Sequence, residues 1–220
     1  MASLQSWVKL QNPKFNFLHR CFGKQPFALL DIGSGNQSAT KTVALFPGCS
    51  YYGLDLSREY NNNPADFAVM KDFYEMDLTL LKFDSIPDAF FDAILLVHVI
   101  EHLYNGDAVL AGLLPKLKPG GFLYVEYPGV KSTRLPSMKG TLNYFDDSTH
   151  VRIYSVKELT SLFESKNCRV VRSGLRRSWF YVLMTPVRIP FRWLRGKPVT
   201  GNIFWDLLGF AEFLWVEKKR

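Results

Sequence analysis

Four short segments hold the residue types that could do chemistry. Asp31-Ile32-Gly33-Ser34-Gly35 joins an aspartate to two closely spaced glycines, Asp55 follows 20 residues after Gly35, Asp77 comes next, and His98-Val99-Ile100-Glu101-His102 follows. Glycine between a strand and a helix permits a tight turn and lets a ligand approach the backbone, and the helix start beyond it offers free N–H groups. A carboxylate about 20 residues past such a loop, at the end of the second strand, suits the two hydroxyls of a ribose. A strict dinucleotide fingerprint would place glycine at position 38, where the chain has Ser38. A ribose-bearing ligand is expected, and a pyrophosphate is disfavoured. Taken alone, the glycines need signify no more than a tight turn.

His98, Glu101 and His102 also satisfy the HxxEH spacing of a zinc protease, where two histidines one helical turn apart hold the metal and the glutamate handles a water. That geometry needs a helix beneath both histidines, whereas His98 directly follows the apolar run 91–97. No metal is expected here, and His102 reads as a packed histidine near a strand end.

The elements that must position these groups alternate along the chain. Strands are expected at Phe27–Leu30, Tyr51–Leu54 and Tyr74–Met76, each followed directly by an aspartate: Asp31, Asp55 and Asp77. Phe91–Val97 is apolar apart from Asp92, as a central parallel strand covered on both faces should be. Phe122–Tyr127, Cys168–Leu175 and the terminal Ala211–Glu217 complete the strand set. Helices are expected at Ser38–Phe46, at Asp107–Leu117 before Lys118-Pro119-Gly120-Gly121, and at Ser155–Ser165, whose Ser155 and Glu158 form a capping-box pattern. Asn61-Asn62-Asn63-Pro64 reads as a loop. This βα alternation predicts an α/β doubly wound sheet with helices on both faces, whose ligands bind beyond the carboxyl ends of the strands.

The segments Asp31–Gly35, Leu54-Asp55-Leu56, Met76-Asp77-Leu78, Val99-Ile100-Glu101-His102-Leu103 and Leu117-Lys118-Pro119-Gly120-Gly121, in this order, resemble the class I S-adenosylmethionine-dependent methyltransferases, of the small-molecule type close to the type 11 and type 23 families. The resemblance covers roughly residues 25–175. It implies a Rossmann-like sheet of seven strands in order 3-2-1-4-5-7-6 with the last strand antiparallel, and S-adenosyl-L-methionine as cofactor. It further implies that Gly33, Ser34 and Gly35 shape the loop against the methionine part and that Asp31 holds that loop and the amino group. Asp55 would bind the ribose with Leu56 on the adenine, Asp77 would accept the adenine amino group with Leu78 beside it, and Val97 and His98 would meet the cofactor through backbone. Where many relatives carry a third glycine, this chain has Gln37.

Methyl transfer from a sulfonium depends mainly on alignment and desolvation, and an ordinary hydroxyl acceptor also needs a base. His150, in Asp146-Asp147-Ser148-Thr149-His150 after the fifth strand, is the candidate catalytic residue; bracing that loop is its plainer role. The expected function is methyl transfer to a small-molecule, sugar or lipid-linked acceptor, at oxygen. The rivals are an RNA methyltransferase, a non-catalytic cofactor-binding module and an NAD-dependent oxidoreductase. The Asn/Asp-Pro-Pro-aromatic segment of base N-methylation is missing after the fourth strand, while Ser38 and Asp77 oppose the oxidoreductase.

Composition sets the outer bounds. The 220 residues allow a single methyltransferase domain over 1–220, with a cofactor-binding core at 25–175 and a basic, aromatic elaboration at 176–209; two full catalytic domains do not fit. Three dispersed cysteines suggest neither a disulfide scaffold nor a cysteine zinc site, and the opening residues lack the apolar core of a signal peptide. A cytoplasmic location is expected, peripheral to a membrane. The charge is lopsided: residues 1–150 hold 13 Lys+Arg against 15 Asp+Glu, and residues 151–220 hold 14 against 5. Such a basic final third fits an anionic partner, a membrane surface touching 176–197 ahead of a nucleic acid, or simply a solvated face. Pro186, Pro190 and Pro198 are expected to divide 176–197 into short pieces rather than one long helix, with the aromatics packed over the sheet and the acceptor pocket.

Overall fold

A computed structural model describes residues 4–61 and 63–220; residues 1–3 and Asn62, part of the expected loop at 61–64, lie outside the described residues. Two helices absent from the sequence expectation come first, α1 (Leu4–Leu10) and α2 (Pro13–Phe22). Asn12 caps α2 by accepting from the Lys14 N–H, and Pro13 occupies the first turn, where its missing donor costs nothing. β1 (Phe27–Ile32), α3 (Ser38–Leu45), β2 (Cys49–Asp55), α4 (Pro64–Val69) and β3 (Asp72–Glu75) follow. β3 lies earlier than expected. Pairing with β2 ends at Asp55↔Glu75, so Asp77 stands beyond the strand, where it caps a 3-10 turn at Leu78–Leu80.

β4 (Phe91–Val97) and β6 (Cys168–Leu175) fall where the sequence places them. α5 (Gly106–Leu113) is shorter than expected, because Pro115 sits in a 3-10 turn that leads straight into β5. β5 (Leu117–Pro128) is longer, taking in the Pro-Gly-Gly segment through a register irregularity opposite Phe91 and Ala93. α6 (Val156–Ser165) is capped by Ser155, whose hydroxyl accepts from the Glu158 N–H. After β6 come α7 (Trp179–Leu194), α8 (Trp205–Leu208) and β7 (Ala211–Lys218).

The seven strands form one sheet in the order β3-β2-β1-β4-β5-β7-β6. β7 runs antiparallel to both β5 and β6, and the other described pairings are parallel. Alternation along β4 explains its unbroken apolarity: Ile94 and Leu96 pack under α5 and α6, while Ala93 and Leu95 face α2 and α3. Asp92, its one charge, is satisfied by the Ala28 N–H and the Lys118 ammonium, at 2.8 and 2.7 Å.

Segment 176–197 corrects the sequence expectation. α7 is a single helix of 16 residues that contains Pro186 and Pro190. Each proline withholds an N–H from the carbonyl four residues earlier, that of Val182 or of Pro186. Pro186 and Pro190 are solvent-exposed, so water can reach the freed carbonyls. The aromatics do not all pack inward either: Trp179, Phe191 and Trp193 are exposed.

Candidate active site

The site occupies the carboxyl edge of the sheet, where β1, β2 and β4 end beside one another. Gly33 leaves β1 with φ +66°, its N–H and that of Ser34 donating to the Leu54 carbonyl at 2.8 and 3.3 Å. A Cβ on Gly33 would lie 2.5 Å from Val99 Cγ2, so both conformation and space require glycine. Gln37, which replaces the third glycine, takes φ +66° at the start of α3 and donates its N–H to Asp66. Buried Asp66 also accepts from the Thr40 N–H and hydroxyl at 2.9 and 2.8 Å and from the Asn61 amide at 3.2 Å. Burial pushes its pKa up, but these donors hold it below the ordinary carboxylate value. Asp66 therefore secures the loop that a glycine would otherwise relax.

Two clefts meet at Gly33. The larger, of about 570 Å³, is lined by Asp55, Leu56, Asp77, Leu78, His98, Val99, His102 and Thr149 among others; the smaller, of about 260 Å³, by Lys14, Asp31, Ser34, Gln37 and Val97. Asp31 Oδ2 accepts from the Ser38 and Tyr51 hydroxyls, each at 2.6 Å, with Lys14 Nζ 3.9 Å away. Asp55 accepts from the Leu56 N–H at 2.9 Å and weakly from Gly35 N–H at 3.4 Å; burial raises its pKa against those bonds. Asp77 Oδ1 is engaged by the Thr79 N–H and hydroxyl. All ten cofactor candidates thus fall on or beside the paired clefts, with Leu56 exposed and Leu78 buried.

His98 departs from β4 with φ +57° and its N–H donates to the Glu126 carbonyl at 2.8 Å. Its Nδ1 bonds Glu101 Oε1 at 3.1 Å; Nε2 lies 3.4 Å from Glu126 Oε1, an ion-pair contact without hydrogen-bond alignment. Arg176 Nε approaches the same Glu126 oxygen at 3.3 Å and its Nη1 donates to Asp206 at 2.9 Å. Burial acts to lower the His98 pKa, but the two glutamates raise it to about 9. Burial likewise opposes ionisation of Glu126, whose pKa Arg176 and His98 hold down at about 2. His98 is an imidazolium at neutral pH. It can neither ligate a metal nor take a proton, and Ile100–His102 is a 3-10 turn, so His98 and His102 do not share one helix face.

His102 and His150 meet instead, with ring centroids 4.9 Å apart. His102 Nδ1 faces the Thr149 hydroxyl at 2.9 Å and the Thr149 carbonyl at 3.2 Å; His150 Nδ1 faces the Tyr144 carbonyl at 2.7 Å. The carbonyls accept only from N–H, which places a proton on Nδ1 of each ring, while His150 Nε2 lies 3.8 Å from Asp147 Oδ2. His102 lines the larger cleft, and His150, nearly enclosed, stands behind it. One ligand-type atom from each ring and one Glu101 carboxylate oxygen lie within 4.8 Å of one another. Sequence reasoning missed Lys14 and Asp66, which lie outside any motif, and assigned His102 to packing alone.

The adenosyl cofactor fits this arrangement on the chain's own features: a glycine turn open to both clefts, a buried Ser34 hydroxyl with no partner among the described residues, and carboxylates at the ends of two adjacent strands. The profile of the methyltransferase-domain family matches residues 7–173, and the chain belongs to that family. It carries a methyltransferase domain. Sterol 24-C-methyltransferase of Kluyveromyces lactis is 26% identical over 102 residues, 44% of this chain and 27% of that protein, so the chain spans about a quarter of that curated relative's length. A chain of the complex between the Haloferax volcanii Trm112 methyltransferase activator and a methyltransferase superposes with TM-score 0.69 at 16% identity, covering 98% of this chain and 92% of that one. Phosphoethanolamine N-methyltransferase 2 of Haemonchus contortus, in complex with S-adenosyl-L-methionine, gives TM-score 0.65 at 18% identity over 94% of this chain and 52% of that one.

Proposed function

We propose that the enzyme methylates a hydroxyl oxygen of a small-molecule, sugar or lipid-linked acceptor in the cytoplasm, without a metal, using His150 together with His102 as the base. The observation that carries this reading is the histidine pair, its tilted rings 4.9 Å apart, with Nδ1 of each ring committed to a backbone carbonyl and His102 at the wall of the larger cleft. Three unpaired cysteines, two of them buried, support a reducing compartment.

When bound, the cofactor would supply an electrophilic methyl carbon for the acceptor oxygen, with the C–S bond breaking to give S-adenosylhomocysteine. The chain would hold that cofactor from both clefts: Asp55 would take the ribose hydroxyls, Asp77 the adenine amino group, Leu56 and Leu78 would lie against the adenine, and the Gly33–Gly35 loop with Asp31 and Lys14 would take the methionine end. His98, fixed as a cation between Glu101 and Glu126, offers backbone only. The acceptor proton goes to Nε2 of the histidine pair, His102 at the cleft and His150 behind it. General-base assistance of this kind accounts for roughly 10²–10⁴-fold in rate.

The test is transfer of labelled methyl to a panel of free sugars, sugar nucleotides, lipid-linked saccharides and RNA, with His150→Ala and His102→Ala assayed on the best acceptor. Each variant is expected to lose about 10²-fold or more in kcat while its affinity for S-adenosylhomocysteine stays unchanged. RNA as the one acceptor, or full turnover in both variants, overturns the assignment.

A further inference from the structure

Helix α7 carries an apolar stripe that stays largely exposed, with Arg195 over the Phe191 ring at 4.1 Å and Arg177 over the Trp179 ring at 5.7 Å. Trp179, Leu183, Val187 and Phe191 recur every fourth residue and share one face, with Trp193 and Leu194 extending the apolar surface at the last turn. They are 66, 74, 56, 52, 69 and 87% exposed, in that order. Another face of the helix is docked: Thr185 is buried, Tyr181 reaches the Val8 carbonyl, and Phe180 meets Trp7 of α1 edge-on at 5.4 Å. A contiguous exposed apolar surface on an anchored helix marks an interaction site.

Charge selects the occupant. From Ser165 to Trp205 the chain contains no acidic residue, while Arg177, Arg188, Arg192, Arg195 and Lys197 border the stripe. Beside the first turn of α7 lies a cavity of about 300 Å³ to which Arg20, Arg172, Arg176, Arg177, Trp179 and Phe180 contribute, a setting for an anionic headgroup. Trp179 and Trp193 stand at opposite ends of the helix, as amphipathic rings do at a lipid–water boundary. The 16 residues extend about 24 Å, short of a bilayer core, and no helix among the described residues is long and apolar enough to cross a membrane. An in-plane orientation is the one that buries the stripe and leaves the arginines among headgroups. A second copy would bring two basic rims together, and the aliphatic Leu183, Val187 and Leu194 offer RNA no ring on which to stack.

Placement joins this surface to the site. β6 runs parallel to β5, since both pair antiparallel with β7, so Leu175 emerges at the same carboxyl edge as Asp55 and His98. The return from α7 packs Trp205 on the His98 ring at 4.9 Å before entering β7. We propose that α7 is an interfacial helix that seats the enzyme on an anionic lipid leaflet. This surface brings a lipid-linked acceptor to the cleft, and to that extent the inference rests on the proposed methyl transfer; the docking itself is measured without any acceptor.

The experiment is co-sedimentation of the full chain with phosphatidylcholine vesicles and with vesicles containing about one-third phosphatidylglycerol, across salt concentrations. Each Lys or Arg near an anionic leaflet strengthens binding by roughly fivefold. Preferential binding to the anionic vesicles that weakens with salt is expected. The triple variant Leu183→Glu, Val187→Glu, Phe191→Glu and the double variant Arg195→Glu, Lys197→Glu should each bind tenfold or more weakly while retaining wild-type affinity for S-adenosylhomocysteine, which certifies the fold. Equal binding by wild type and the triple variant, or no binding of wild type to either vesicle, overturns the proposal. So does a dimer broken by the triple variant in the absence of vesicle binding, or RNA retention without vesicle binding. Methyl transfer to soluble acceptors, assayed in parallel, fails separately if the catalytic reading is the one at fault.

Discussion

At the scale of single residues, the cofactor loop depends on one glycine and one carboxylate. Gly33→Ala places a methyl 2.5 Å from Val99 Cγ2 and forces a left-handed φ on a residue with a Cβ. The conformational penalty alone is about 1–2 kcal/mol, so a lower unfolding midpoint and loss of S-adenosylhomocysteine binding in calorimetry are expected together. Asp55→Ala should leave stability nearly intact and weaken that ligand by about ten- to a hundredfold, the value of a buried charge-assisted hydrogen bond; unchanged affinity would remove Asp55 from the ribose. Because Glu101, His102 and His150 are close enough to attract a cation, dialysis against a chelator is the third check. Turnover should survive it, whereas a loss restored by zinc would convert the base pair into ligands. The glycine turn and Asp55, the last residue of β2, were legible because their chemistry is local: a strand stops, the chain turns, and a carboxylate is left at the edge; Asp31 instead lies inside β1 and Asp77 beyond β3. Lys14 and Asp66 were not legible, since they reach the loop only after α2 and α4 pack beside it.

Elements were legible where hydrophobic period decides them. β4 and β6 have the bounds read from the sequence, and Ser155 caps α6 as its pattern indicates. β3 was placed late because its end was set by Asp77, on the pattern of Asp31 and Asp55, yet pairing with β2 holds Asp72–Glu75 and closes with the Met76 N–H on the Asp55 carbonyl. In α7, proline was taken as decisive, although its penalty falls with the exposure of the carbonyls it strands. Thr185, which donates its hydroxyl to the Tyr181 carbonyl at 2.8 Å, turns its side chain back into the same helix one residue before Pro186. Replacing Pro186 and Pro190 by alanine restores two backbone donors to an existing helix. The double variant should slow amide exchange across 182–194 and raise stability in urea by about 1 kcal/mol or more, given the roughly 3 kcal/mol difference in helix propensity. Unchanged exchange would mean that α7 is not helical through the prolines.

For the molecule as a whole, the sequence order of motifs already implied the sheet order that the structure shows, but not what ties the elaboration at 176–209 to the sheet. That tie is a buried chain of charge, from Glu101 through His98, Glu126 and Arg176 to Asp206, drawn from four separate stretches of sequence. No local pattern announces it. It has a pH signature with a definite sign. His98 has its pKa raised from 6.5 to about 9 on folding, so its contribution is complete below pH 6.5 and disappears as pH climbs through 9. Glu126 has its pKa lowered from 4.5 to about 2, so its contribution is complete above pH 4.5 and disappears as pH falls through 2. Stability in urea should therefore decline between pH 6.5 and 9.5, and His98→Gln should flatten that basic limb while the acid limb, still supported by Arg176, shrinks but persists. Arg176→Met, which leaves Glu126 and Asp206 without their shared cation, should cost about 3–5 kcal/mol at neutral pH, the usual result of removing one partner from a buried pair. If His98→Gln keeps the full basic limb, the imidazole is neutral in the folded protein, and the link between the cofactor wall and the α7 region is not electrostatic.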